Sequence, residues 1–478
     1  MAGKYAVPPE IRDMRPEGTT VKAISGHYYV YEQDSVKGKD GKWRTRSGRC
    51  VGKIDPERGF VPNSSTARSQ EWRTLEFGQW AVADDLSRNT YSLLREFFHV
   101  EDADRIYVAA LCHFVEGLTY MKDVSGLYDM SVLSLRYPGL RLDPDTVSRL
   151  YDDLERRGGS VMKLQSELAE KCSDIVTIDG HVVGSSSKRG CLASRGYEEF
   201  PVTRESQVCL LTAFDAANGR PICSRTYEGC VTERFAVRDL LDLVSFSGTI
   251  FLIDHSLDKD DDADFITEGG NHYVFPLDSQ DKRFAEAVLD LEPSNTFIWQ
   301  RGDESRLVQY TEREIDGRRV VVYCDVLEQL RAQADLGVSK LAEQLPYTGA
   351  YVLQTSIPEA ERDAQALFSL YEERLSVETY FDYFRCGSDG YDLSQRDYYY
   401  QQGLAFVMQV AGLIECDVRE AVAASGLGMS VADVLMDARA VKADRMGDTW
   451  VINNCLNKRE QRLAKLGVAM EARPTRKF

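Results

Sequence analysis

At Ser173 the chain changes rhythm, and that change constrains the fold more than any other feature of the sequence. Before it, from about Thr74 to Lys171, apolar residues recur at three- to four-residue spacing in LSRNTYSLLREFFHV, DADRIYVAALCHFVEGLTYM and DPDTVSRLYDDLERRG, which predicts helices. After it come three short runs, DIVTIDG, QVCLLTAFD and RPICSRTYEG, the last two separated by the turn signal Ala217-Asn218-Gly219. A helical stretch, TERFAVRDLLDLV, leads into TIFLID, a continuous apolar run of the kind that makes a buried central strand. FITEGGNHYVFPLD adds a helix fragment and one more strand. Three antiparallel strands followed by strand–helix alternation predict an α/β fold on a mixed sheet.

The 478 residues exceed the roughly 250–300 at which one hydrophobic core stops growing, so several regions are expected. Residues 1–75 are basic and β-rich, with TVKAISGHYYVYEQ and WRTRSGRCVGKI both alternating polar and apolar. Residues 76–170 are the helical region, where Asp143-Pro144-Asp145 starts a helix that either reads DNA or packs in a bundle. Residues 171–278 hold the first part of the α/β core, 279–358 a strand-rich insertion, and 359–430 its second part. A long helix is predicted from about Glu361 to Arg385. Residues 431–478 read as helical with a basic tail.

Composition narrows the chemistry. Eleven cysteines are scattered, without a C-x-x-C pair, and the six histidines include no H-E-x-x-H, so any metal has to be held by carboxylates. Phosphate-cradling, dinucleotide-binding and hydrolase glycine motifs are absent as well. Net charge is −18, yet residues 1–73 carry 14 Lys/Arg against 9 Asp/Glu and residues 456–478 carry 7 against 2. Two basic ends on an acidic body fit a polyanion partner as well as they fit solvated surface. The longest apolar stretch, Ala405 to Ile414, is too short to span a bilayer, and MAGKYAVPPE is no secretory signal. The expectation is a cytoplasmic protein with no membrane partner.

Two aspartates end apolar strands: Asp179 in IVTIDGH and Asp254 in TIFLID. Sites in open α/β sheets collect at such strand ends, although a terminal aspartate is also a common turn former. On the long predicted helix, Tyr371, Arg374, Glu378 and Arg385 fall along one edge of the apolar stripe made by Leu367, Leu370, Val377, Phe381 and Phe384. Ionic groups there are either used or paired as i,i+4 salt bridges.

The spacing Y-x2-R-x3-E-x6-R over Tyr371, Arg374, Glu378 and Arg385 resembles the Y-x2-R-x3-E-x6-K signature of cut-and-paste bacterial insertion-sequence transposases of the DDE class. The resemblance covers about residues 170–430 and takes in QVCLLTAFDAANGRPICSRTYEG and the block from Asp254 to Phe275. It implies a ribonuclease-H-like core, with the insertion fitting between Asp254 and Glu378, which stand 124 positions apart. It also implies that Asp179, Asp254 and Glu378 are the catalytic carboxylates and hold two Mg²⁺ or Mn²⁺ ions, hard cations that prefer oxygen ligands. Tyr371, Arg374 and Arg385 would hold DNA phosphates. The implied partners are double-stranded DNA, as the element's inverted-repeat ends and the target, and a second copy of the chain in a homodimer on paired ends. Arg385 replaces the family's Lys, and the stretch after Asp179 is only loosely similar.

Trp299, in TFIWQRG, is either a base-stacking residue on DNA or a strand-packing aromatic. The run Asp258 to Asp264 reads as a solvated acidic loop, and His181 and His255 as neighbours of the aspartates in packing or proton transfer. The function implied is metal-dependent DNA cleavage and strand transfer. The alternative is a catalytically silent, domesticated relative that regulates by binding a DNA sequence.

Overall fold

A computed structural model of the protein describes residues 7–37, 43–63, 74–117, 119–185, 206–228, 233–253, 260–289, 295–301, 304–335, 349–372, 374, 397–446, 449–453 and 457–471. After a short helix α1 (Pro9–Asp13), the strands β1 (Thr19–Ile24), β2 (His27–Lys37), β3 (Trp43–Asp55) and β4 (Gly59–Pro62) pair antiparallel in chain order. Ser25 and Gly26, at φ 50° and 84°, close the first hairpin in two residues, a left-handed pair that suits strand twist. One face of this meander packs Val30, Val51 and Ile54 with Ile11 of α1.

Strand β5 (Thr74–Glu76) leads into α2 (Gly78–Leu86), α3 (Arg88–Phe97), α4 (Val100–Glu116), α5 (Met121–Met130), α6 (Leu133–Arg136), α7 (Pro144–Arg156) and α8 (Gly159–Lys171). Helix α7 starts as its sequence predicts: the Asp143 carboxylate accepts the Thr146 N–H at 3.1 Å and Pro144 takes the first turn. Its Val147, Leu150, Tyr151 and Leu154 are buried. On its outer side Arg157 pairs with Asp153 and Arg156 lies over the Tyr399 ring. Bundle packing therefore accounts for the inner face of this helix.

The sheet follows. β6 (Ile175–Ser185), β7 (Ser206–Asp215) and β8 (Arg220–Glu228) are antiparallel neighbours. After α9 (Glu233–Leu243), β9 (Ile250–Ile253) joins the other side of β6 in parallel; after α10 (Asp260–Glu268), β10 (His272–Pro276) lies parallel to β9. Then come α11 (Lys282–Leu289), β11 (Thr296–Arg301), β12 (Glu304–Ile315), β13 (Arg318–Asp325), α12 (Val326–Asp335) and β14 (Ala350–Thr355). The strands expected as an insertion extend the same sheet, β14 pairing antiparallel with β10, so nine strands run in the order β11-β12-β13-β14-β10-β9-β6-β7-β8. The fold is mixed α/β, as the pattern of runs predicts.

Helix α13 (Ala364–Glu372) covers one face of this sheet. It starts after a turn around Glu361, where the helix is predicted to begin, and beyond Glu372 the predicted helix, apart from Arg374, lies outside the described residues. Helix α14 (Tyr398–Ser425) packs against α4 and α7 and along β8. At Gly403 the approach is so close that any Cβ would collide with the Tyr151 carbonyl. Polar residues in its apolar run have a definite task. Gln402 accepts the Thr226 N–H at 3.0 Å and donates to the Thr226 carbonyl, and Gln409 donates to the Ile222 carbonyl. These glutamines satisfy backbone groups that the edge strand β8 would otherwise bury unpaired.

The C-terminal region corrects the all-helical expectation. α15 (Val431–Ala438) is followed by a hairpin, β15 (Lys442–Met446) and β16 (Thr449–Asn453), before α16 (Asn457–Lys465). β15 pairs with β5, 368 positions earlier by the partners Ala443 and Leu75, and such pairing leaves no local signal in sequence.

Candidate active site

Strands β6 and β9 run side by side as far as Ile178 and Ile253, and β6 then continues to Ser185. Asp179 therefore lies within the strand, opposite Thr212 of β7, and not at the strand end that its sequence suggests, because the ladder with β7 carries β6 onward. Ile178 stands opposite Ile253 in parallel register, and the Thr177 hydroxyl donates to the Leu252 carbonyl at 3.0 Å. The two faces of this pair differ. Val176, Ile178, Phe251 and Ile253 belong to the core shared with the helical region. Ile175, Ile250 and Leu252 pack on the opposite side, with Leu367 and Tyr371 of α13. Strand alternation assigns Asp179 to that second face, two residues beyond Thr177 and four beyond Ile175. Asp179 is half-buried, and its Oδ1 accepts the Gly180 N–H at 2.8 Å. Asp254, the residue after Ile253, lies outside the described residues, as do His255, Glu378 and Arg385 and the side chain of His181.

Helix α13 brings three of the remaining candidates into one aromatic cluster. Tyr371 is only 2% exposed; its ring lies 5.6 Å from that of Tyr351, and the two hydroxyls share a hydrogen bond. Burial first, and the neighbouring Tyr371 second, push the Tyr351 hydroxyl well above its ordinary pKa. The Arg374 guanidinium stands 5.0 Å from the Tyr371 ring centre, a cation–π contact. Trp299, on the edge strand β11, meets Phe368 edge-to-face at 5.2 Å and 83°. Its partner across the ladder is Arg306, which bonds Asp325 at 2.9 Å and Glu328 at 2.8 Å. Trp299 is therefore a packing aromatic in this fold, half-buried against α13.

The acidic run is not a solvated loop where it is described. Asp260 to Asp264 open helix α10, and Asp262, 1% exposed, pairs with Arg238, while Asp264 pairs with Arg318 at 2.9 Å. Acidic residues in a first helical turn are a start signal, which the charge density obscured. Among the described residues no three His, Cys, Asp or Glu side chains converge as metal ligands. The donor set expected from sequence, of which Asp179 is the described member, is all carboxylate oxygen and so suits a hard divalent cation.

Sequence reasoning passed over one surface, the face of the meander that carries Lys22, Tyr29, Tyr31 and Lys53. The alternation in TVKAISGHYYVYEQ was the available signal, since every second residue falls on one side.

No protein-family model matches the sequence, and no curated protein matches it. Among solved structures, the cryo-electron microscopy structure of the piggyBac transposase synaptic complex with hairpin DNA is similar to this chain at a TM-score of 0.37 and 13% identity. The match covers 71% of this chain and 70% of that chain. A TM-score of 0.37 is too low to define a shared fold or function. Among the described residues no helix is long and apolar enough to cross a membrane.

Proposed function

We infer that this chain is a transposase of the DDE type, which binds the inverted-repeat ends of a mobile element and catalyses DNA cleavage and strand transfer. The observation that supports this best is the parallel register of Ile178 with Ile253. It aligns the strand that carries Asp179 with the strand that runs into Asp254, on a sheet whose strands β8-β7-β6-β9-β10 have the mixed order of a ribonuclease-H-like core. The face assigned to Asp179 is the one covered by the helix with Tyr371 and Arg374, from which the chain continues toward Glu378.

Asp179, Asp254 and Glu378 would hold Mg²⁺ or Mn²⁺, which when bound stabilises charge on the attacking and leaving oxygens of an in-line displacement. The protein's own part is to position the scissile phosphate. Arg374, aligned on the Tyr371 ring, and Arg385 would supply charge-assisted hydrogen bonds to phosphate oxygens. Tyr371, being buried, would act by fixing Arg374. Water would attack first and free a 3′-hydroxyl, which would then attack the second strand or the target. Two copies would act on paired ends, in the cytoplasm.

The test is cleavage of a supercoiled plasmid carrying the element's ends, with Mg²⁺ or Mn²⁺, by the natural protein and by Asp254→Ala and Glu378→Ala. Metal-dependent release lost in both variants is the expected result. End-specific binding without cleavage in all three would overturn it in favour of a DNA-binding regulator.

A further inference from the structure

The N-terminal meander has one packed face and one open face. Val30, Val21 and Ile54 turn inward, so their neighbours turn outward in rows that cross the strands. One row reads Lys22, Tyr29, Lys53, a lysine on each side of a tyrosine, by the partners Lys22 with Tyr29 and Tyr29 with Lys53. The next row pairs Tyr31 with Cys50, and the Lys22 ammonium reaches back over the Tyr31 ring at 4.9 Å. His27 meets the edge of Tyr29 at a ring separation of 6.4 Å. Lys22, His27 and Lys53 are exposed and the two tyrosines half-buried, so the rings lie as a floor with cations standing at its rim. No carboxylate falls in these rows. Asp55, two residues past Lys53 on β3, is engaged at 2.9 and 3.1 Å by the N–H groups of Glu57 and Arg58 in the following turn.

This face lies in one of the two basic ends of an acidic chain. Net charge is −18 overall, but residues 1–73 hold 14 basic against 9 acidic residues. Within the rows themselves the charged groups are Lys22 and Lys53, which attract a polyanion. Aromatic rings between lysines distinguish a nucleic acid from a merely acidic protein, because rings take bases or sugars by stacking while ammonium groups take phosphates. Helix α7, the other candidate for nucleic-acid contact, has its outer arginines Arg156 and Arg157 already engaged within the chain.

We propose that the open face of the meander is a DNA-docking surface, with Lys22 and Lys53 on phosphates and Tyr29 and Tyr31 beneath the sugar or base edges. The choice of DNA rests on the function inferred above; the surface itself does not, and binding without metal separates the two. The experiment measures fluorescence anisotropy of a labelled mixed-sequence duplex and a labelled mixed-sequence single strand with the full chain in EDTA across a salt series. In Lys22→Glu/Lys53→Glu, affinity should fall at least about tenfold, and the slope of log K against log salt should shrink by about two on duplex. Tyr29→Ala/Tyr31→Ala should weaken the single strand by about tenfold or more. The charge-matched Lys122→Glu/Lys163→Glu, on exposed helical positions elsewhere, should bind as the natural protein does. Loss on either probe confined to the meander variants supports the surface. Unchanged binding in both meander variants, or equal loss in the helical control, overturns it, whatever the outcome of the cleavage assay.

Discussion

The guanidinium of Arg374 stands 5.0 Å from the centre of the Tyr371 ring, and that ring is 2% exposed, wedged against Tyr351. The two residues therefore have different work: the tyrosine is a fixed platform and the arginine is what it aims. Tyr371→Phe keeps the ring and loses one hydroxyl contact, which costs about 1 kcal/mol. Tyr371→Ala empties a buried site and costs about 3–5 kcal/mol. Denaturant titration of both variants checks this, and only the phenylalanine variant is informative about DNA contact, since its fold survives.

The helical region holds a buried ion network. Asp84, fully buried, accepts from Arg88 at 2.7 Å, from the Tyr137 hydroxyl at 2.7 Å and from Arg136, itself 1% exposed. Asp85 also accepts from Arg136, at 2.8 Å, and from the Ala469 N–H at 3.0 Å, which ties the C-terminal segment to the same point. Removing Arg136 leaves two carboxylates short of a cation in a dry site. Arg136→Ala should destabilise by about 3–5 kcal/mol. Calorimetry should show the loss, and proteolysis should find the segment near Ala469 newly accessible.

His113 gives the protein an acid sensitivity. Its Nδ1 accepts the Thr119 N–H at 3.1 Å, so the neutral ring carries its proton on Nε2, 3.3 Å from the Tyr151 hydroxyl. Complete burial lowers its pKa from 6.5 to about 4. Between those values the unfolded chain takes up a proton that the folded one refuses. Stability therefore falls as pH drops from about 6.5 to about 4, by about 3 kcal/mol in total, and is unaffected above that window. Urea midpoints against pH should fall less steeply there for His113→Gln than for the natural protein.

Gln402 bridges both backbone groups of Thr226 on the edge strand. Gln402→Leu fills the space but abandons a buried N–H and C=O, so it should cost about 2–5 kcal/mol. Hydrogen exchange should quicken at Thr226 more than at residues of β6, because the ladder between β6 and β7 is untouched.

What could be read from sequence follows the range of the interactions. Ile250 to Ile253 announced a central strand because both its faces are buried, and the apolar stripe of Leu367 and Leu370 announced α13. Trp299 could not be assigned, since its partner Phe368 is far along the chain and only the sheet brings them together. The same holds for β15, which finds its neighbour in β5. Gln402 and Gln409 read as interruptions of an apolar helix until β8 supplied the backbone they satisfy. The candidate site rests on spacing around Tyr371 and on two aspartates, of which Asp179 falls inside β6 because pairing with β7 extends that strand. The packed role of Tyr371 was not legible, because a hydroxyl's partner is a tertiary fact.

Asp179 allows the sharpest separation of chemistry from stability. It is half-buried within β6, and its Oδ1 accepts the next residue's N–H, which an asparagine oxygen also accepts. Asp179→Asn should thus keep the fold to within about 1 kcal/mol. Under the proposed function it removes one negative charge from an all-oxygen donor set, in which a direct ligand would matter more than the outer partners whose loss costs about 10–100-fold. Cleavage of the end-bearing plasmid should fall by more than about a hundredfold, while DNA affinity in EDTA stays unchanged, and the denaturation midpoint should match the natural protein's. Retained cleavage would remove Asp179 from the site. A collapsed midpoint would mean that its carboxylate serves the strand rather than the reaction.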